Sequence, residues 1–309
     1  MPVHKPIDDP EILAFIAKTE ASYPADANVA TAEENRIYYD AMCAAFRQPR
    51  PASVSVADEI IGGVPVRRYA PASASADSPA IIYVHGGGLV VGSLDSHDDI
   101  CAEISERTGM IVTAVDYRLA PEHRRPAQLD DVEIVWRQRA GDNTRLIAVG
   151  DSAGANLCAG LSLRMRRLGG PMPIAQVLVY PGLGGELSWL SYRENAEAPL
   201  LRTSDLAAYR DDSAGDGKSM YEIEEAEPLK EASFAGLPPT TVFTADVDPL
   251  RDDGFAYVER LQSAGVSARL HNHDQLVHGY LRGRTMSKRI KAAFDEICAA
   301  IIAVAKNKA

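Results

Sequence analysis

From about residue 53 onward, short apolar runs rich in β-branched residues alternate with longer stretches of helical period. The runs are VSVADEII, VPVRRYA, AIIYV, MIVTAVDY, RLIAVG, AQVLVYP, TTVFTAD and VSARLHN. Several of them, such as AIIYV, are apolar at nearly every position, which predicts strands buried on both faces. Strand-like runs separated by helical ones predict an α/β fold, a mainly parallel sheet with helices on both sides. Before residue 53 the pattern predicts no strand. Ile12, Phe15 and Ile16 follow helical spacing, and Thr31 with Glu34 forms a capping box ahead of NRIYYDAMCAAF, so residues 10–47 read as two amphipathic helices.

The alternation breaks once. Residues 183–239, between VLVYPGL and TTVFTAD, are rich in acidic and small side chains and longer than one crossover helix requires. They predict an insertion over the carboxyl ends of the strands, where open α/β sheets bind ligands. The expected organisation is an N-terminal helical cap segment, 1–50, and a catalytic domain, 51–309, with 183–239 as a second cap segment. Arg164, Arg166 and Arg167 are expected on a solvated helix face.

Composition narrows the partners. Of 309 residues, 46% are hydrophobic and 24% charged, as in an ordinary globular protein. With 43 acidic against 32 basic side chains, a net charge of -11 repels phosphate backbones and anionic lipid, so no nucleic acid and no stable membrane association are expected. Cys43, Cys101, Cys158 and Cys298 are scattered without a C-x-x-C pair, which predicts reduced thiols, no metal site and no disulfide framework. No basic leader opens the chain and no segment approaches the ~20 apolar residues that span a bilayer, so a cytoplasmic location is expected. No cofactor is called for.

The chemistry concentrates at Gly150-Asp151-Ser152-Ala153-Gly154, a G-x-S-x-G pattern between the strand-like RLIAVG and the helix-compatible ANLCAGLSLRMRRLG. Small residues two positions either side of a serine let strand turn sharply into helix, lifting the hydroxyl above the sheet at a helix N-terminus. The bland alternative is that Ser152 only caps the helix. A second feature, His85-Gly86-Gly87-Gly88, directly follows AIIYV. Three consecutive glycines suggest backbone approaching a ligand closely. Their N–H groups, with that of Ala153, could converge on the oxyanion of a tetrahedral intermediate, and which two glycines donate stays open. His85 and Asp151 are expected as supporting residues.

A serine hydroxyl needs a base, and the base an orienting carboxylate. Asp248, beyond the end of TTVFTAD and ahead of Pro249, is the preferred acid, with Asp246 as runner-up; Asp252 and Asp253 are expected on a solvent-facing helix surface. Of the histidines after Ser152, His271 and His273 are expected on the polar face of a strand, which leaves His278, before Gly279, as the base. Asp116, Tyr117, Arg118 and Glu122 are expected to brace the glycine loop.

The motifs HGGG (85–88), YRLAPEH (117–123), GDSAGAN (150–156), DPLRDDG (248–254) and HGY (278–280) resemble those of the bacterial hormone-sensitive-lipase family of α/β-hydrolases over about residues 50–305. The resemblance implies an eight-stranded sheet with a helical cap and hydrolysis of a small acyl ester through an acyl-enzyme. It also implies Ser152 as nucleophile, His278 as base and Asp248 as acid. Short acyl chains are the usual preference of such proteins and many are homodimers. Two departures stand out: Leu89 where an aromatic is more usual, and Gln275 with Leu276 in a segment that often carries a glutamate. An arylformamidase or amide hydrolase using the same triad, a non-catalytic small-molecule receptor on the same fold and a membrane-active lipase are the competing expectations.

Overall fold

A strand apolar at every position needs cover on both sides, and the chain supplies it. The structure, a computed structural model, describes residues 4–24, 31–75, 77–142, 145–214 and 225–306. In β3 (Ala80–Val84), Ile81 and Tyr83 enter one core while Ile82 and Val84 enter the other. The first core is built with α3 (Asp98–Thr108) and α9 (Lys288–Lys306), the second with α4 (Ala127–Gly141), α5 (Ala153–Leu168) and α8 (Arg251–Ser263). Large side chains at full burial, among them Trp136, Phe243 and Phe294, each contribute about 1.5–3 kcal/mol of apolar transfer.

The remaining strands are β1 (Val54–Ile61), β2 (Val64–Pro71), β4 (Val112–Val115), β5 (Leu146–Asp151), β6 (Ala175–Val179), β7 (Thr240–Val247) and β8 (Ala268–Val277). They form one eight-stranded sheet in the order β1-β2-β4-β3-β5-β6-β7-β8, in which only β2 runs against its neighbours. The parallel strands therefore present their carboxyl ends along one edge, and Ser152, Asp248, His278 and the glycine run each follow such an end.

β8 outruns the expected VSARLHN because its pairing with β7 shifts register between Ala245 and Val247, where Gln275 takes φ 60. The shift carries the strand on to Val277 and sets His278 directly at its end. His271 and His273 share one face of β8, as expected, but α9 covers that face. Their rings stack on Phe243 at 4.9 and 5.5 Å, and both lie 3.4 Å from Glu296.

The two N-terminal helices form, as α1 (Pro10–Ala21) and α2 (Ala32–Ala44). Asp9 caps α1 and the Thr31–Glu34 capping box opens α2. Ile12, Phe15, Ile16 and Met42 join the core that α9 faces. This segment is clasped to the sheet edge: Lys5 Nζ donates to Asp246 Oδ1 at 2.8 Å, and the backbone N–H groups of Asp8 and Asp9 donate to Gln275 Oε1 at 3.0 Å. Residues 183–239 supply α6 (Leu190–Glu194) and α7 (Thr203–Ser213), while 215–224 lie outside the described residues.

The arginines of α5 do not share one solvated face. Arg164 is buried, with Nη1 on Asp130 at 2.6 Å and on Glu133 at 3.1 Å, because α4 packs alongside α5. Arg166 instead donates to the carbonyls of Ser233 and Ala235. All four cysteines are buried and unbridged.

Candidate active site

β5 ends at Asp151 and α5 begins at Ala153, so one residue must reverse the chain between them. Ser152 does so at φ 52 and ψ -121, a backbone region that L side chains rarely occupy. The flanking glycines allow the turn. A Cβ at Gly150 would stand 2.7 Å from the Gly154 carbonyl, and one at Gly154 would run into the backbone carbonyl of Val84. The Ser152 side chain makes no cap bond to α5. Its Oγ lies 2.8 Å from His278 Nε2 instead, which disfavours the helix-cap alternative.

His278 Nδ1 stands 2.7 Å from Asp248 Oδ2. An ionised carboxylate only accepts, so it selects the Nδ1–H tautomer and leaves Nε2 to accept from the serine hydroxyl. Asp248 is fully buried, and its other oxygen accepts from the Leu250 N–H at 2.8 Å, which fixes the carboxylate plane. Asp246, the runner-up, bonds Lys5 and Asn272 instead and touches neither His278 nor Ser152. The Tyr180 ring packs against His278 with centroids 4.8 Å apart.

The glycine loop runs beside the elbow, with Gly87 at φ 123 and Gly88 at φ 63. Both backbones need glycine there: a Cβ on Gly87 would meet the Val91 carbonyl and one on Gly88 the Tyr209 ring. Of the three glycines, two of which were expected to donate, the first is engaged elsewhere. Gly86 N–H donates to Asp151 Oδ1 at 3.1 Å, so that hydrogen is committed to the carboxylate beside the serine. Gly87, Gly88 and Ala153 line the cavity in front of Ser152, while Gly86 does not.

Asp151 is buried and accepts from Tyr83 Oη at 2.9 Å and Tyr180 Oη at 3.3 Å, with His97 Nε2 at 3.4 Å. Burial alone would raise its pKa, but the charge and hydrogen bond of His97 and the bond from Tyr83 hold it well below the usual carboxylate range. His85 stacks on Tyr117 at 4.3 Å, its Nδ1 is 2.8 Å from the Gly86 carbonyl, and its own carbonyl accepts from Tyr117 Oη at 2.8 Å. Burial and neighbouring His97 push the His85 pKa down to about 4, so it is neutral at pH 7. Of the expected braces Tyr117 bonds the HGGG run itself; Arg118 pairs with Asp131, Glu122 with Arg36, and the Asp116 carboxyl accepts from the Leu94 N–H further along the chain. His97 is a member that the sequence did not single out.

Asp253 also departs from expectation. It is fully buried rather than solvent-facing, because the chain after β6 folds over it. The N–H groups of Leu183 (2.6 Å) and Gly185 (3.1 Å) and Tyr192 Oη (2.8 Å) all donate to its carboxylate. Burial raises its pKa from 3.8 to about 6. A value higher in the folded state than in the unfolded one means that its contribution is fully present below 3.8 and fades as pH rises through about 6. Asp253→Ala is expected to lower stability by about 2–4 kcal/mol, leaving two backbone donors unpaired. Urea unfolding should show that deficit at acid pH and a smaller one above pH 6.

The side chains converge on a cavity of about 440 Å³, walled by the elbow and glycine loop, by Thr19 and Tyr39 of the N-terminal helices, and by Leu206 and Tyr209 of α7. No group of three or more His, Cys, Asp or Glu side chains among the described residues could hold a metal ion, and no described helix is long and apolar enough to cross a membrane.

Comparison with known proteins gives consistent matches. A family pattern described as alpha/beta hydrolase fold matches residues 81–282. Esterase LipI of Mycobacterium tuberculosis is 39% identical over 248 residues, covering 76% of this chain and 78% of that protein. Carboxylesterase NlhH of the same species is 40% identical over 235 residues, 71% of each chain. Among solved structures, an esterase from the bacterial hormone-sensitive lipase (HSL) family superposes with a TM-score of 0.87 at 27% identity, covering 96% of this chain and 98% of that one.

Proposed function

The chain belongs to the α/β-hydrolase family, in its bacterial hormone-sensitive-lipase branch, and is a carboxylic ester hydrolase; from that premise we propose that Ser152, His278 and Asp248 form its triad and that short acyl esters are its substrates. The observation that carries this reading is the unbroken chain of contacts from Ser152 Oγ to His278 Nε2 at 2.8 Å and from His278 Nδ1 to Asp248 at 2.7 Å.

In this mechanism His278 Nε2 removes the hydroxyl proton as Oγ bonds to the ester carbonyl carbon. The carbonyl oxygen takes the electron pair of its π bond and becomes an oxyanion. The N–H groups of Gly87, Gly88 and Ala153 receive that charge, Gly86 being engaged with Asp151. Asp248 holds the imidazole in its tautomer and stabilises the imidazolium. Collapse breaks the carbon–alkoxy bond, and His278 returns the proton to the departing alcohol. Water then repeats the sequence on the acyl-enzyme, releasing the acid and restoring Ser152.

Residues 1–50 and 183–239 serve in this reading as two parts of a cap over the catalytic domain 51–309. Their side chains at the cavity, Tyr39 and Tyr209 among them, are bulky, which supports a short acyl chain. The test is hydrolysis of p-nitrophenyl esters from acetate to dodecanoate. Activity should peak at the short esters and fall steeply along the series. A maximum at dodecanoate would refute the short-chain assignment, and turnover of matched anilides above esters would favour an amide hydrolase.

A further inference from the structure

Arg282 lies in the cavity wall, where the groups it bonds are neutral. It follows His278 by one short turn, and its guanidinium lies 3.8 Å (Nη1) to 3.9 Å (Cζ) from where a Cβ on Gly279 would stand, beside the proposed base. Its contacts are the Tyr39 hydroxyl at 2.9 Å from Nη2, the Met42 sulfur at 3.5 Å from Nη1, and the Tyr39 ring with its centroid 5.2 Å from Cζ. No carboxylate among the described residues pairs with it. The titratable groups closest to it in effect are Tyr39, Cys43, Tyr180 and Tyr23. Burial pushes all three phenols above their ordinary range and the Cys43 thiol up to about 11, so every one is neutral at pH 7. Two buried arginines elsewhere behave differently: Arg284 bonds Asp99 and Glu103, and Arg251 bonds Glu194 and Asp252.

A second arginine of the same cavity is incompletely bonded, with the Glu227 carboxylate as its nearby opposite charge. Arg125 donates from Nη2 to Asn156 Oδ1 at 3.0 Å, while its buried Nε has no partner among the described residues. A cation held away from bulk water without an anion is costly unless a ligand supplies the opposite charge. The cavity carboxylates do not supply it to Arg282. Asp205 accepts from the Arg202 backbone, Asp151 and Asp253 are enclosed by their own donors, and Glu20 is exposed.

We propose that this hydrolase is built for esters carrying a second, ionised carboxylate, which Arg282 binds while Ser152 attacks the ester carbonyl. The inference rests on the triad assigned above and narrows its substrate class. Water is the only co-reactant: with the anion on the acyl side one water gives a dicarboxylate, an alcohol and a proton, and with the anion on the alcohol side it gives a carboxylate, a hydroxycarboxylate and a proton. The same recognition could serve an anion on the acyl side or on the alcohol side, and two substrate pairs separate them. Monoethyl glutarate is compared with ethyl pentanoate for the acyl side, and 3-(butanoyloxy)propanoate with propyl butanoate for the alcohol side.

In one of these pairs wild type should favour the anion by about tenfold or more in kcat/KM, chiefly through KM, as expected for charge-assisted bonds. Arg282→Met should abolish that ratio and Arg282→Lys should retain part of it, since an ammonium replaces a two-pronged contact with a single point charge. A purely structural role would lower the anionic and neutral substrates alike and overturn the proposal. Should Arg282→Met fail to fold, inhibition of wild-type ethyl butanoate hydrolysis by glutarate, but not by its diamide, makes the same test. Equal or absent inhibition by the two refutes the proposal. Neutral esters hydrolysed with no preference for either anion would sink this inference alone, whereas failure to hydrolyse any ester would sink the triad reading beneath it.

Discussion

Ser152→Ala is expected to lower kcat for a short p-nitrophenyl ester by at least about a thousandfold, with KM changed far less. Alanine keeps the backbone path of the elbow and deletes only the oxygen that lies 2.8 Å from His278 Nε2. The loss should therefore be chemical, with the thermal midpoint near that of wild type. His278→Ala should give a loss of similar size, because an unassisted hydroxyl is as ineffective as a missing one. The double variant should be no worse than either single one, since nucleophile and base act as a unit. Wild-type turnover by Ser152→Ala would remove the serine from the mechanism, and losses that multiply in the double variant would deny that the pair works together.

The second large effect concerns the acid. Asp248→Asn is expected to reduce kcat by about ten-thousandfold, because an amide in that place can donate to Nδ1 and stabilise the wrong tautomer of His278. Asp246→Asn is the matched control: it lies two residues away and spends its carboxylate on Lys5 and Asn272. Its kcat should stay within about threefold of wild type, a change typical of a residue outside the reacting centre. If Asp246→Asn showed the larger loss, the acid would have been assigned to the wrong carboxylate.

What could be read from the sequence was set by local sterics. Gly150 and Gly154 face each other across a turn of five residues, so the requirement for small side chains is written within the motif. The order of strand ends likewise placed Asp248, just beyond TTVFTAD, whereas His278 stood out by setting aside His271 and His273, since the expected strand VSARLHN stops short of it. What the sequence left open or misplaced has another cause, a partner far away in the chain. Gly86 is committed to Asp151 across 65 residues, and the pattern HGGG carries no trace of that bond. Asp253 sits at an ordinary helix position, and only the chain returning from β6, 70 residues earlier at Leu183, decides that it is covered. Arg164 looked like Arg166 and Arg167 until α4 was laid against it. Arg282 had no motif around it at all, and what marks it out is the neutrality of the groups that surround it in space.

The clasp between the N-terminal segment and the far sheet edge has a consequence for inheritance and for engineering. Thr19 and Tyr39 of the cavity wall and the loops proposed to carry out the chemistry lie on separate stretches of polypeptide, so drift or recombination in the first few dozen residues can remodel part of the cavity while the reactive groups stay as they are. Yet Lys5 grips Asp246, and the Asp8 and Asp9 amides grip Gln275, a short way upstream of the acid and the base respectively. A transplanted front end would dock on the recipient's sheet edge only if it arrived with groups able to close that fastening, and chimeras that respect it should outnumber, among folded survivors, those that do not.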